Sequence, residues 1–215
     1  MPTLLSFALD VVTEFVVGAD LARVGLVQFN GDADVLLPLS ANLSAIEAAL
    51  NGASPPQGWT SISKGIDKAV SLLGAARTGV AVTMLVLTDG VQTVDGGDSA
   101  AIAAAASAKA VGVQVFAVGF GSADVSTLSS MASAPASTHA YFGATIEDVR
   151  AHFASNGLCG LAASPLSPPP SMPAPSPAVP SPLPPGLPPA SPSPPRAPTC
   201  AVPMELLLVL DRSGR

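Results

Sequence analysis

Oxygen-bearing side chains follow two strongly apolar segments of this sequence. Asp89 stands in "LVLTDG", and Asp211 and Ser213 stand in "ELLLVLDRSGR". A third segment, "GWTSISKGI", places Thr60 just before a helix pattern. Carboxylate and hydroxyl oxygens from separate loops suit a hard divalent cation such as Mg²⁺, which takes oxygen ligands in an octahedron and keeps several waters. These residue types are therefore compatible with a cation site.

Each of these residues also has an ordinary structural explanation. Asp89 could form a turn before Gly90, and Thr60 could cap the helix that starts at Ser61. Asp211 and Ser213 could belong to a simple turn after the strand. The cation reading is favoured by the four residues taken together and not by any one alone. Asp95 and Asp98, which flank two glycines, are predicted to be solvated turn residues.

The elements around these residues predict a parallel sheet covered by helices on both faces. Apolar strand patterns alternate with helix patterns, which is typical of an α/β fold. Gly31 and Asp32 predict a hairpin, so one edge strand is antiparallel. The predicted strands are 22–30, 33–40, 80–88, 113–121 and 138–143, and the predicted helices are 42–52, 61–75, 98–112, 123–133 and 145–155. Ligands of such sheets bind at the carboxyl ends of the strands.

One strand is missing from this pattern at its beginning. "MPTLLSFALDVVTEFVV" is an amphipathic helix pattern with no strand before it. "ELLLVL" has the sequence of a buried central strand, and we predict that Glu205 to Leu210 lies mid-sheet between strands 22–30 and 80–88. A second explanation, which does not exclude the first, is that residues 204–215 begin the next copy in a tandem array.

A proline-rich tract separates the two parts of the predicted sheet. Residues 161–203 hold most of the 23 prolines of the chain, together with Ser and Ala. Such composition predicts a disordered or polyproline II linker, and some 40 residues at about 3.1 Å each can reach roughly 120 Å. The predicted domains are therefore 1–160, the linker 161–203, and the strand with the start of the site at 204–215.

Composition argues against several function classes. The net charge is −6 and the few basic residues are scattered, so a nucleic-acid groove is not expected. The sequence has no apolar run of about 20 residues to span a membrane and no signal-peptide pattern in this segment. The sequence also lacks a dinucleotide fingerprint, a phosphate-binding loop and a nucleophile elbow, so we expect no enzyme.

The order of these elements and motifs resembles the von Willebrand factor type A domain, also called the integrin I-like domain. That family is a doubly wound, Rossmann-like α/β fold with a metal-ion-dependent adhesion site. The site is built from D-x-S-x-S after the first strand, a Thr before the third helix and an Asp in "TDG". The matching positions here are Asp211, Ser213, Thr60 and Asp89, and Arg215 replaces the second serine.

The resemblance implies a Mg²⁺ or Mn²⁺ site, with Ca²⁺ as a further choice. Ser213 is expected to coordinate directly, Asp211 through a water, and Thr60 to add a hydroxyl. Asp89 is expected to contact a water or to anchor the opposite side. Arg215 removes one hydroxyl ligand and brings a positive charge toward the site. Trp59, beside Thr60, is a candidate for contact with a partner, with a packing role as the alternative.

The resemblance also implies a disulfide. Several family members join the segment before the first strand to the segment after the last helix, and Cys200 and Cys159 occupy those places. The alternatives are that each cysteine pairs within its own repeat of a longer protein, or that both stay reduced.

These features predict an adhesion module of a secreted or cell-wall matrix protein, which binds an acidic group of a protein or glycoprotein through a divalent cation. The Ser-Pro runs resemble hydroxyproline-rich glycoproteins of plant and algal matrices. One alternative is an intracellular assembly module of the same fold. Another is a structural spacer whose proline tract is the interaction element.

Overall fold

A computed structural model gives the fold of the chain and describes residues 2–53, 58–149, 152 and 200–213. The strands are β1 (Ala22–Phe29), β2 (Ala33–Ser40), β3 (Ala81–Thr88), β4 (Val113–Phe120), β5 (Ala140–Gly143) and β6 (Met204–Asp211). The helices are α1 (Pro2–Thr13), α2 (Leu43–Asn51), α3 (Ile62–Val70), α4 (Asp98–Ala110), α5 (Val125–Met131) and α6 (Ala136–His139), with a 3₁₀ turn at Ser71–Ala75. Residues 146–149 are also helical.

The strands form one mixed sheet in the order β2-β1-β6-β3-β4-β5. Only the β1–β2 hairpin is antiparallel, and the other neighbours in the sheet are parallel. This confirms the predicted fold class, including its first strand supplied from the C-terminal segment. β6 pairs with β1 from Ala22↔Met204 to Phe29↔Asp211 and with β3 on its other side.

All eight residues of β6 are buried. Leu206, Leu208 and Leu210 face one core, and Leu207 and Val209 face the other. Burial of one such side chain stabilises a fold by about 1.5–3 kcal/mol. Without β6, the facing edges of β1 and β3 would also carry unpaired backbone groups in the middle of the molecule. The strand is therefore the structural centre of the domain.

The two faces of the sheet are covered by different helices. α1, α2 and residues 146–149 pack on one face, and α3, α4 and α5 pack on the other. The buried side of α4 is made of alanines, which lets this helix lie close to its neighbours; they are Ala101, Ala104, Ala105 and Ala108. Gly65 of α3 serves the same purpose, because a Cβ there would lie 2.7 Å from Cδ1 of Phe29.

The first helix is shorter than the sequence predicts. Its pattern continues through Val17, but α1 ends at Thr13, Glu14 lies in a turn, and Phe15 and Val17 form isolated β-bridges. Phe15 forms a parallel bridge with Cys200, and the amide of Val16 donates to the carbonyl of Cys200 at 2.9 Å. The β-branched pair Val16 and Val17 favours this extended form. The segment at Cys200 is thus fixed to the body before β6 begins.

A buried ion cluster lies at the amino end of β6. Glu205 is fully buried and accepts hydrogen bonds from Nη2 of Arg23 at 2.6 Å and from Nε of Arg77 at 2.8 Å. Arg77 also donates to the carbonyls of Ala19, Leu21 and Met204. Burial alone would raise the pKa of Glu205, but the bonds from both arginines outweigh it and lower that pKa. We call these three charged residues the Glu205 clamp.

The two edges of the sheet differ from its centre. β2 is largely exposed or half-buried and contains Pro38, which has no amide hydrogen to donate. The β1–β2 pairing shifts register twice between Val24 and Val27. The opposite edge, β5, has four residues. In the described part of the chain, no helix has the length and hydrophobicity needed to cross a membrane.

Candidate metal centre

The four predicted cation ligands lie at the carboxyl edge of the sheet. Asp211 is the last residue of β6, and Asp89 directly follows β3. Two backbone bonds fix the neighbouring loops to the end of β1. The amide of Arg212 donates to the carbonyl of Phe29, and the amide of Ser61 donates to the carbonyl of Asn30, both at 2.6 Å.

Asp211 is held rigidly in a buried position. It is 2% exposed. Its Oδ2 accepts a hydrogen bond from the hydroxyl of Thr88 at 2.6 Å, and its Oδ1 accepts from the amide of Ser213 at 2.8 Å. Burial raises the pKa of Asp211, and these two hydrogen bonds offset part of that effect. The carboxylate is oriented by the protein, but its charge is only partly compensated.

Asp89 lies close enough to Asp211 for the two carboxylates to repel each other. Burial and then the charge of Asp211 raise the pKa of Asp89 from 3.8 to about 6. The backbone carbonyl of Asp89 accepts from the amide of Ser122 at 3.0 Å, which fixes the loop after β3. Two like charges brought together in a buried place form a site that a cation would stabilise.

Two buried hydroxyls complete this edge. Thr60 and Ser213 are each 1% exposed. Within the described residues, Oγ1 of Thr60 has no hydrogen-bond partner, and Oγ of Ser213 makes no hydrogen bond of good geometry, although it lies close enough to the carboxylate of Asp211 to lower the pKa of that group. A buried polar group without a partner costs about 1–3 kcal/mol. Such a cost is explained if the oxygen serves a ligand.

The backbone of Thr60 is held by hydrogen bonds, whereas its hydroxyl makes none. Its amide donates to Oγ1 of Thr93 at 2.8 Å, and its carbonyl accepts from the amide of Thr93 at 2.9 Å. A Cβ built on Gly90 would lie 3.9 Å from Oγ1 of Thr60, so this hydroxyl faces the "TDG" turn. The explanation of Thr60 as a helix cap is wrong, because the residue at the cap position is Ser61.

The donor set fits a hard divalent cation. It contains two carboxylates with raised pKa values and two hydroxyls that make no hydrogen bond of good geometry. No group of three or more His, Cys, Asp or Glu side chains suited to a metal occurs among the residues that the structure describes. A cation held here would be bound by carboxylate and hydroxyl oxygens, a donor set that suits Mg²⁺ better than a soft metal.

Sequence reasoning missed a polar network that holds the two loops together. Gln92 accepts from the amide of Ser63 at 2.9 Å and donates to its hydroxyl at 3.0 Å. Asp95 accepts from the hydroxyl of Ser61 at 2.7 Å and lies 3.5 Å from Nζ of Lys64. The hydrogen bond from Ser61 lowers the pKa of Asp95. Asp95 is exposed, as predicted, but it also joins the loop after β3 to the start of α3.

The remaining predicted residues have different positions. Trp59 is 63% exposed beside Thr60, and its Cβ lies 3.5 Å from where a side chain on Gly31 would start. Cys200 is buried and disulfide-bonded. Cys159 and Arg215 lie outside the described residues, so their predicted roles stay predictions.

A doubly wound sheet with an oxygen-donor site at its carboxyl edge defines the class of this domain. The sequence matches the von Willebrand factor type A domain over residues 1–154, and the chain belongs to that family. β6 lies beyond the matched residues.

Solved structures share the fold. Proximal thread matrix protein 1 from the mussel byssus has 22% identity and a TM-score of 0.64, with 75% of this chain and 40% of that chain covered. The same mussel protein with a zinc-occupied MIDAS motif has 20% identity and a TM-score of 0.63, covering 75% and 43%. BatB from Bacteroides thetaiotaomicron has 20% identity and a TM-score of 0.56, covering 74% and 88%. The chain thus spans less than half of the mussel chains.

Proposed function

We propose that this domain binds a carboxylate of a partner protein through a divalent cation held at the carboxyl edge of the sheet. The cation ligands are Asp211, Ser213, Thr60 and Asp89, and the module binds rather than catalyses. One observation carries the proposal: two buried hydroxyls that make no hydrogen bond of good geometry lie at the edge where two carboxylates meet, and burial raises the pKa of both while the charge of Asp211 further raises that of Asp89. Membership of a family of protein-interaction domains supports it.

Each residue has a distinct task in this proposal. Asp211 supplies an oriented negative charge, because Thr88 and the amide of Ser213 fix both of its oxygens. Asp89 supplies the second charge from the loop after β3. Thr60 and Ser213 supply neutral oxygens. A bound Mg²⁺ or Mn²⁺ would neutralise the carboxylates and leave a coordination position for an acidic group of the partner.

The titration of the full chain with Mg²⁺, Mn²⁺ and Zn²⁺ by calorimetry tests the site. We expect saturable binding that is lost in Asp89→Ala and weakened at least about tenfold in Ser213→Ala, since a direct ligand has been removed. Asp67→Ala is the matched control, because Asp67 is an exposed carboxylate on α3 outside the site. Equal binding by Asp89→Ala and the parent chain would refute the proposed ligands.

We also propose an extracellular, matrix-type setting. The disulfide-bonded state of Cys200 supports an oxidising compartment. The mussel byssus relative and the Ser-Pro tract of residues 161–203 agree with it. Mass spectrometry of the protein from its natural source tests this, since hydroxyproline or glycans on the tract are expected only after secretion. An unmodified tract with Cys200 as a free thiol would favour the intracellular alternative.

A further inference from the structure

We propose that the sheet accepts Met204–Ser213 from a second copy of this chain as well as from its own. The site of insertion is the gap between β1 and β3, which we call the acceptor slot. Copies that exchange this strand would be linked through the centres of their sheets. The proposal does not rest on cation binding.

The acceptor slot and the strand recognise each other through contacts that do not depend on how they are connected. β6 pairs along its length with β1 and with β3, and its leucines fill both cores. The extended segment before it pairs with residues 14–16 of the body. The same contacts form whichever chain carries the strand, so its own chain and a second copy compete for one slot.

The Glu205 clamp gives the exchange its register and its specificity. A strand of leucines alone could slip along the slot, because neighbouring side chains of β6 are alike. Glu205 prevents this, since only one register places its carboxylate against Arg23, the backbone amide of Arg77 and the guanidinium of Arg77. Leaving that carboxylate buried without its partners would be strongly destabilising. The slot therefore selects this strand over a generic apolar one.

Exchange requires that the disulfide of Cys200 is open, because the chain has two cysteines and a bond between them would tie β6 to its own body. While that bond is open, only the backbone joins the strand to its own slot. Residues 150–199 separate the last described helical turn of the body from Cys200, and most of them belong to the Pro/Ser-rich tract. A tether holds its own strand at an effective concentration of millimolar or less. A second copy therefore competes when chains are concentrated, or when the strand fits the other copy better than its own.

Two full-length variants with exchanged charges test whether a strand moves to a second copy when it fits that copy better than its own. The first is E205R, whose strand faces two arginines in its own slot. The second is R23E/R77E, whose slot faces the parent Glu205. In each variant alone the charges repel, whereas each strand matches the slot of the other variant. Both variants are unfolded with a reducing agent, mixed and refolded well below millimolar concentration.

We expect the mixture to form a one-to-one heterodimer by native mass spectrometry and light scattering. Its melting temperature should exceed that of either variant refolded alone. The triple variant E205R/R23E/R77E is the control, because it shows whether the reversed cluster folds within one chain. If the triple variant folds and the mixture gives only separate monomers, the proposal is wrong.

If the triple variant does not fold, the parent chain decides the question. Heavy-isotope and light parent chains are unfolded together under reducing conditions and refolded over a series of concentrations approaching millimolar. Mixed heavy–light dimers that increase with concentration and decrease in E205Q support strand exchange. A monomer at every concentration, or dimers that E205Q leaves unchanged, would overturn it.

Discussion

A carboxylate is buried at each end of β6, but arginines compensate its charge at one end, whereas a second carboxylate lies near it at the other. At the amino end, Glu205 is bound by Arg23 and Arg77, and its pKa is lowered. At the carboxyl end, Asp211 faces a second carboxylate, Asp89, and the pKa of both is raised. One end is neutralised by the protein itself. The other has two carboxylates, the buried guanidinium of Arg212 beside Asp211, and neutral oxygens, so that one negative charge remains in excess, as expected of a cation site.

If the proposed function is right, this difference assigns stability to one end of the strand and cation binding to the other. The Glu205 clamp should stabilise the fold at neutral pH whether or not a cation is present. The site around Asp211 should cost stability until a cation binds. Substitutions at the two ends are therefore expected to change the free energy of unfolding by different amounts and in opposite directions.

The largest effect is expected from Glu205→Gln. The substitution removes the negative charge and leaves two partly buried guanidinium groups without it, which should lower the free energy of unfolding by about 2–3 kcal/mol. Denaturant unfolding with and without Mg²⁺ measures this loss. We expect the same loss in both conditions, and a loss confined to the Mg²⁺-free sample would contradict the division between the two ends. Asp67→Asn serves as the control.

The next effect concerns the dependence of stability on pH in cation-free buffer. A carboxyl with a folded pKa above its unfolded pKa binds its proton more tightly in the native state. The contribution of Asp89 should therefore fall as pH rises from 3.8 to about 6 and then stay constant. After allowance for its partial exposure, we expect a loss of about 1–2 kcal/mol.

Asp89→Asn sharpens this test. It should remove the part of the loss between pH 4 and pH 6 that Asp89 causes, while the part caused by the raised pKa of Asp211 remains. It should also raise the cation-free melting temperature at neutral pH, because it relieves repulsion with Asp211. Glu205 acts in the opposite sense, since its lowered pKa stabilises the fold above the ordinary value of 4.5 and that stability is lost at lower pH. If Asp89→Asn destabilises the cation-free protein at neutral pH, the proposed repulsion is wrong.

The smallest effect is expected from Thr60→Val. The substitution keeps the shape of the side chain and removes a buried hydroxyl without a partner, so the cation-free protein should gain up to about 1 kcal/mol. The affinity for Mg²⁺ or Mn²⁺ should decrease at the same time. Thr60→Ser, which keeps the oxygen, is the control for cation affinity. A loss of stability in Thr60→Val without Mg²⁺ would show that the hydroxyl has a structural partner.

The sequence predicted the fold because its strongest signals are periodic and local. The alternation of apolar strand patterns and helix patterns predicted a parallel sheet. The continuous hydrophobicity of "ELLLVL" predicted a central strand. The end of α1 was misjudged because tertiary pairing with Cys200 outweighed the helix pattern in Val16 and Val17. A local sequence pattern gives no information about a strand partner that is distant in sequence.

The site was predictable as a set of positions and not as a network. Asp211, Ser213, Thr60 and Asp89 were identified by the resemblance to the family motif, and they lie at the ends of the predicted elements. The bonds of Gln92 to Ser63 join residues 29 positions apart, and those of Arg77 to Glu205 join residues 128 positions apart. Polar pairs at such separations leave no periodic signal, so they became visible only with the fold.

The protected edges of the sheet limit how this domain can associate. Pro38 in β2, the shifted register beside it and the shortness of β5 all discourage a further strand from adding at either border. Crowded chains therefore have little opportunity to grow into an open-ended ribbon of sheets. In a dense material that would favour contacts of defined number over runaway aggregation.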